Sequence, residues 1–114
     1  MSSIELFSFS TKGHRVFESV SVTADGSILI SQDTYSVERA GEESIDWEIL
    51  IRPEHHYSLR TALRDNVRNP IETGDNTMDS IVMMEEEFKG HERAFSTIKA
   101  LLAGCNVKYQ FSRW

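Results

Sequence analysis

The chain has 114 residues, with 18 acids against 12 lysines and arginines, four histidines and one cysteine, giving a net charge of −6. That length suits a single domain over residues 1–114, which buries roughly two-thirds of the surface its unfolded chain exposes and needs neither metal nor disulfide to hold a core. The acidic balance argues against nonspecific nucleic-acid binding, which needs clustered cations. Cys105 has no partner within the chain and favours a reducing compartment. No apolar run reaches the roughly 20 residues that span a bilayer, and MSSIELFSFSTKGHR lacks the basic-then-apolar order of a signal peptide. A cytoplasmic protein with no membrane association is expected.

The first half reads as strands. Ile4 to Ser10 is apolar, followed by a turn at Thr11-Lys12-Gly13. Val16, Val20 and Val22 then share one face of a strand over Arg15 to Thr23, interrupted by Glu18. Ala24-Asp25-Gly26 is a tight-turn signal, and Ile28 and Ile30 place Ser27 to Gln32 as the second arm of a hairpin. The polar stretch Asp33 to Ser44 is expected as a loop, or in part as an extension of that strand. Ile45, Trp47, Ile49 and Ile51 alternate with Asp46, Glu48 and Leu50, the clearest strand pattern in the chain.

Helices follow. Pro53 suits the first helical position, and Tyr57, Leu59, Ala62 and Leu63 recur at helical spacing to about Asp65. Asn69 to Thr77 reads as a loop. Asp79 or Ser80 is expected to cap a helix from Ile81 to Lys89, stopped by Gly90. A third helix from about His91 to Ala103 carries a stripe of Phe95, Ile98, Leu101 and Leu102 and ends at Gly104. Val107, Tyr109 and Phe111 form a closing strand that ends in Trp114, expected beside the Trp47 strand. Strands run together and helices run together in the order ββββαααβ, so the class is α+β: a mainly antiparallel sheet with the helices packed on one face.

Candidate chemistry is sparse. In PEHHYS, His55 and His56 are neighbours, which on a helix point about 100° apart; two histidines on one metal need i, i+4 spacing, and position 59 is leucine. The expectation is a surface pair in a helix's first turn. No metal, no cofactor and no catalytic residue are inferred, although a histidine could still work with a distant carboxylate. Cys105 follows a helix C-terminus, whose negative end disfavours a thiolate, so a buried structural cysteine is expected.

Charge is more informative. Between Pro70 and Glu92 lie seven acids (Glu72, Asp75, Asp79, Glu85, Glu86, Glu87 and Glu92) and only Lys89 as a base, so this segment carries the whole net charge. A folded display of these acids would form a negative face able to speed encounter with a cationic partner. Met78, Met83 and Met84 flank the run, and one of them, if exposed, would add an apolar anchor. Arg60, Arg64 and Arg68 recur every four residues, forming either a solvated basic stripe or a docking strip.

The strand IDWEILI, the proline-led helix, the acidic stretch, the helix AFSTIKALLAG and the strand NVKYQFSRW together resemble small acidic immunity proteins of bacterial polymorphic-toxin and contact-dependent inhibition systems. The resemblance spans roughly Ile45 to Trp114 and carries over no binding residue by position. It implies a non-enzymatic cytoplasmic inhibitor that binds a cationic toxin domain, often a nuclease, as a monomer or weak homodimer. The alternatives are a small regulatory or scaffold subunit, possibly dimeric through an edge strand or the Trp114 end, and a small hydrolase using His55 or His56 with a carboxylate.

Overall fold

In a computed structural model that describes residues 3–38 and 41–113, five strands form one antiparallel sheet and three helices cover one of its faces. The strands are β1 (Ser3–Thr11), β2 (His14–Val22), β3 (Ile28–Glu38), β4 (Gly41–Ile51) and β5 (Gln110–Arg113), in spatial order β1-β2-β3-β4-β5. A 3₁₀ turn at Pro53–His55 leads into α1 (His56–Asn66), followed by α2 (Asn76–Phe88) and α3 (Ala94–Gly104). The chain is thus α+β, with β5 returning after the helices to pair beside Trp47, opposite Arg113.

Period-two burial sets the sheet's two faces. Val20, Ile28, Ile30, Ile49 and Ile51 point towards the helices and pack against Leu59, Leu63, Met83, Met84, Ile98 and Leu102. An irregularity between Glu5 and Phe7 in β1 keeps Leu6 in the core, and the Leu6 carbonyl accepts from Gly90 N at 2.6 Å. This contact pins the α2–α3 junction over the edge strand. Gly90, with φ +79°, makes the turn that a side chain would resist.

Several local expectations shift. The stretch 33–44 is largely not a loop: β3 continues to Glu38 and β4 begins at Gly41, and the two stay paired in register to that end. The molecule is correspondingly elongated, 49 × 28 × 26 Å. The helix α2 starts well before Ile81, because Asp75 caps it by accepting from Met78 N at 3.0 Å. In α1, Tyr57 faces solvent while His56 turns inward, because His56 stands three residues before Leu59 on the stripe with Ala62 and Leu63, whereas Tyr57, two residues before Leu59, lies off it. Cys105 is exposed beyond the end of α3, not buried; its sulfur lies 3.7 Å from Asn66 Nδ2. Trp114 lies outside the described residues. No described helix is long and apolar enough to cross a membrane.

Candidate functional site

The acidic segment folds into a divided set. Asp75 is engaged at the N-terminus of α2. Asp79 points inward, accepting from Thr73 N at 2.8 Å and from Thr73 Oγ1 at 2.6 Å; the Thr73 hydroxyl bond is the main reason its carboxyl lies below the usual range. It ties the 73–75 loop to the helix and does not belong to a solvent-facing surface. Glu72 lies 3.0 Å from Arg64 Nη1 and 3.6 Å from Arg60 Nη1, and Glu87 lies 3.2 Å from Arg68 Nε. The arginine stripe is therefore an internal partner of this segment. Among the described residues, Glu85, Glu86 and Glu92 make no ion pair, and Glu86 and Glu92 are exposed. Met83 and Met84 are core residues, while Met78 is half exposed in the first turn, beside Asp75 and away from the glutamate run.

A second acidic group lies on the helix-free face. Asp33 of β3 stands directly opposite Asp46 of β4, with Glu48 two residues along the same face. Partial burial first, and then the Asp46 and Glu48 charges, push the Asp33 carboxyl above its usual range. Beside it, Ser8, Ser10, Arg15, Phe17, Asp33 and Tyr35 line a shallow depression of about 400 Å³. The Arg15 guanidinium lies over the Tyr35 ring at 5.3 Å. Sequence reasoning misses this group because the polar stretch that holds Asp33 reads as a loop or, in part, an extension of the strand; the signal lies in the continued alternation of Ile28, Ile30, Gln32 and Thr34, which puts Asp33 on the opposite face.

On the helix side, where α3 meets β4 and β5, an aromatic groove of about 660 Å³ opens. Trp47 and Phe111 stack with centroids 5.3 Å apart, as diagonal cross-strand neighbours on one face. Lys99 Nζ lies 4.4 Å from the Phe111 centroid, and the Arg113 guanidinium lies 5.1 Å from the Trp47 centroid. Phe95 and Tyr109 extend the apolar wall. Gln32, also in the lining, donates from Nε2 to Glu18 Oε2 at 2.6 Å. Glu18 is completely buried, and its other oxygen faces Phe95 N at 3.5 Å in the first turn of α3. Burial raises its carboxyl above the usual value, opposed by the bonds from Gln32, Phe95 and Ala94 and by nearby His91.

The two adjacent histidines differ. His56 is buried, with Nε2 2.9 Å from the Ile51 carbonyl and Nδ1 2.7 Å from Thr77 Oγ1. A carbonyl only accepts, so Nε2 carries the proton, and in the neutral ring Nδ1 accepts from the Thr77 hydroxyl. Both nitrogens are engaged in joining β4, α1 and α2, which corrects the expected surface pair. His55 is partly exposed and lines a small hollow of about 210 Å³ with Arg52 and Lys108. Among the described residues, no group of three or more His, Cys, Asp or Glu side chains is arranged to hold a metal ion.

Compared with known proteins, the chain matches no family model, and neither a curated protein nor a solved structure shows significant similarity to it.

Proposed function

We propose that the chain is a non-enzymatic protein-binding module of the immunity-inhibitor kind, which captures a basic partner domain and occludes its working surface. What supports this reading most is the Asp33–Asp46 pair. Like charges directly opposite on neighbouring strands oppose folding, and here burial and Glu48 add to the strain on Asp33. A lysine or arginine from a partner would relieve that repulsion, so the cost carried by the free protein becomes binding energy. Glu85, Glu86 and Glu92 would extend the negative field for steering, whereas Glu72 and Glu87 are already neutralised by arginines and Asp79 is turned inward.

The hydrolase using His55 or His56 loses one of its two candidates, because both ring nitrogens of His56 are held by the fold, while the hollow that His55 lines is shared with the cations Arg52 and Lys108. A homodimer remains the second reading, and one observation favours it: Phe9 of the edge strand β1 and Phe17 of β2 are exposed. The experiment is affinity capture from the native cell at low salt, followed by reconstitution with the retained basic protein. Asp33→Lys with Asp46→Lys should abolish the complex, while Glu72→Gln should leave it intact. Binding unaffected by the double reversal, or retention of acidic proteins alone, overturns the reading. Light scattering over a concentration series separates a dimer from a monomeric inhibitor.

A further inference from the structure

We propose that the groove between α3 and the β4–β5 corner binds an amphipathic organic anion, a compact apolar body ending in a carboxylate. The inference is independent of the acidic-partner reading, because it uses the opposite face of the sheet and charges of opposite sign.

The groove's size, about 660 Å³, is that of a small-molecule site, and such sites combine mostly apolar walls with a few placed polar groups. The apolar body would lie against the Trp47–Phe111 stack and Phe95, facing the short side chains of Ala100 and Ala103 on α3. Those alanines leave the helix backbone within reach of a ligand where larger residues would fill the space.

Charge decides which head group fits. On α1 and just beyond it, Arg60, Arg64 and Arg68 are paired with carboxylates. Lys99 and Arg113 are not: among the described residues neither makes an ion pair, although the chain carries an excess of six negative charges. Instead each is held over one ring of the same stack, so two cations bracket the groove's aromatic floor. A cationic ligand would meet these two charges and find the ring faces already occupied by them. A neutral one would gain only the apolar contacts. A carboxylate gains a charge-assisted contact with Lys99, which lines the groove, and the Arg113 charge over the other ring adds to the attraction. Glu18, the nearby negative charge, does not compete, because it is fully buried and its oxygens are bonded to Gln32 and the first turn of α3.

The test compares 4-phenylbutyrate, 4-phenylbutanamide and 4-phenylbutylamine, which share one apolar body and differ in head group. Trp114→Phe leaves Trp47 as the single tryptophan reporter, and amide NMR on the unaltered protein needs no substitution. The expected result is saturable binding of the acid, with shifts at Trp47, Tyr109 and Phe111, and an affinity about tenfold above that of the amide, the amine being weakest. Lys99→Gln and Arg113→Gln should each weaken the acid about 2- to 5-fold and leave the amide unchanged. Equal affinity for all three compounds, shifts that map elsewhere, or no saturable response to the acid overturns the proposal.

Discussion

Asp33 and Asp46 face each other across β3 and β4, two carboxylates in direct cross-strand register on a face that no helix covers. A fold does not gain from such a pair. Asp46→Asn removes one charge while keeping the shape, so stability at neutral pH should rise by up to about 1 kcal/mol. Its pH dependence has a definite sign. The Asp33 carboxyl lies above its ordinary 3.8 in the folded protein, so its favourable contribution is complete below that value and is lost as pH rises through the folded pKa. Urea midpoints of the variant and the parent should therefore converge in acid and diverge towards neutrality; a constant difference at every pH would show that the pair is not the cause.

At the β2–β3 turn the sign reverses. Asp25 accepts from the Thr23 hydroxyl and from Ser27 N, and the Thr23 bond is the larger cause holding its carboxyl down at about 2, against 3.8 in an ordinary chain. Its contribution is present above 3.8 and is lost as pH falls through about 2. Asp25→Asn should flatten the acid limb of the stability curve over that window. An unchanged limb in thermal melts would mean that other carboxyls govern acid unfolding.

His55 and His56 give the sharpest contrast between neighbours. His56→Ala leaves the Ile51 carbonyl and Thr77 without their partner and opens a void among β4, α1 and α2. The expected cost is about 2–4 kcal/mol. His55→Ala, at a partly exposed position, should stay within about 0.5 kcal/mol. Equal losses in chemical denaturation would contradict the assignment of His56 as the structural member.

Most of the architecture was legible in the residues, because the core strands and helices carry their own periodicities. The alternation of Ile45 to Ile51, the Asp25-Gly26 turn and the Phe95–Leu102 stripe led to β4, the β2–β3 hairpin and α3. What stayed hidden depended on phase or on long-range pairing. His56 is in phase with Leu59 and Leu63 and Tyr57 is not, but the polar partners that let a histidine be buried there, the Ile51 carbonyl and the Thr77 hydroxyl, come from β4 and the start of α2. The sequence offers Asp79 or Ser80 as the cap of this second helix, whereas Asp75 caps it and Asp79 is taken by the loop that Thr73 closes onto it. The acidic stretch was visible, but its neutralisation required α1 to lie beside α2. Trp47, Phe95 and Phe111 are too far apart in sequence to be grouped before the β4–β5 register is known.

Arg68→Ala tests how far that neutralisation limits binding. The Arg68–Glu87 contact involves an arginine that is largely solvent exposed, so its loss should change stability by less than about 1 kcal/mol. It also bares Glu87 beside Glu85 and Glu86. Association with a basic partner should therefore become faster at low salt, with little change in dissociation. A slower association rate in surface-binding kinetics would place the partner on the arginines instead.

Glu18→Gln tests the buried carboxyl behind the aromatic groove. Two effects compete there: burial penalises the charge, while Gln32 and the first-turn amides of α3 favour it. Burial is the larger, so the folded pKa lies above the ordinary 4.5, and the contribution of Glu18 is complete below 4.5 and is lost as pH rises through the folded value. Glutamine keeps an oxygen to accept from Gln32 or Phe95 but never ionises. The variant should thus match the parent in acid and exceed it in urea midpoint near neutrality. If instead it is weaker near neutrality, the amides of α3 outweigh burial, and Glu18 acts as a charged anchor for that helix rather than as a penalty the fold tolerates.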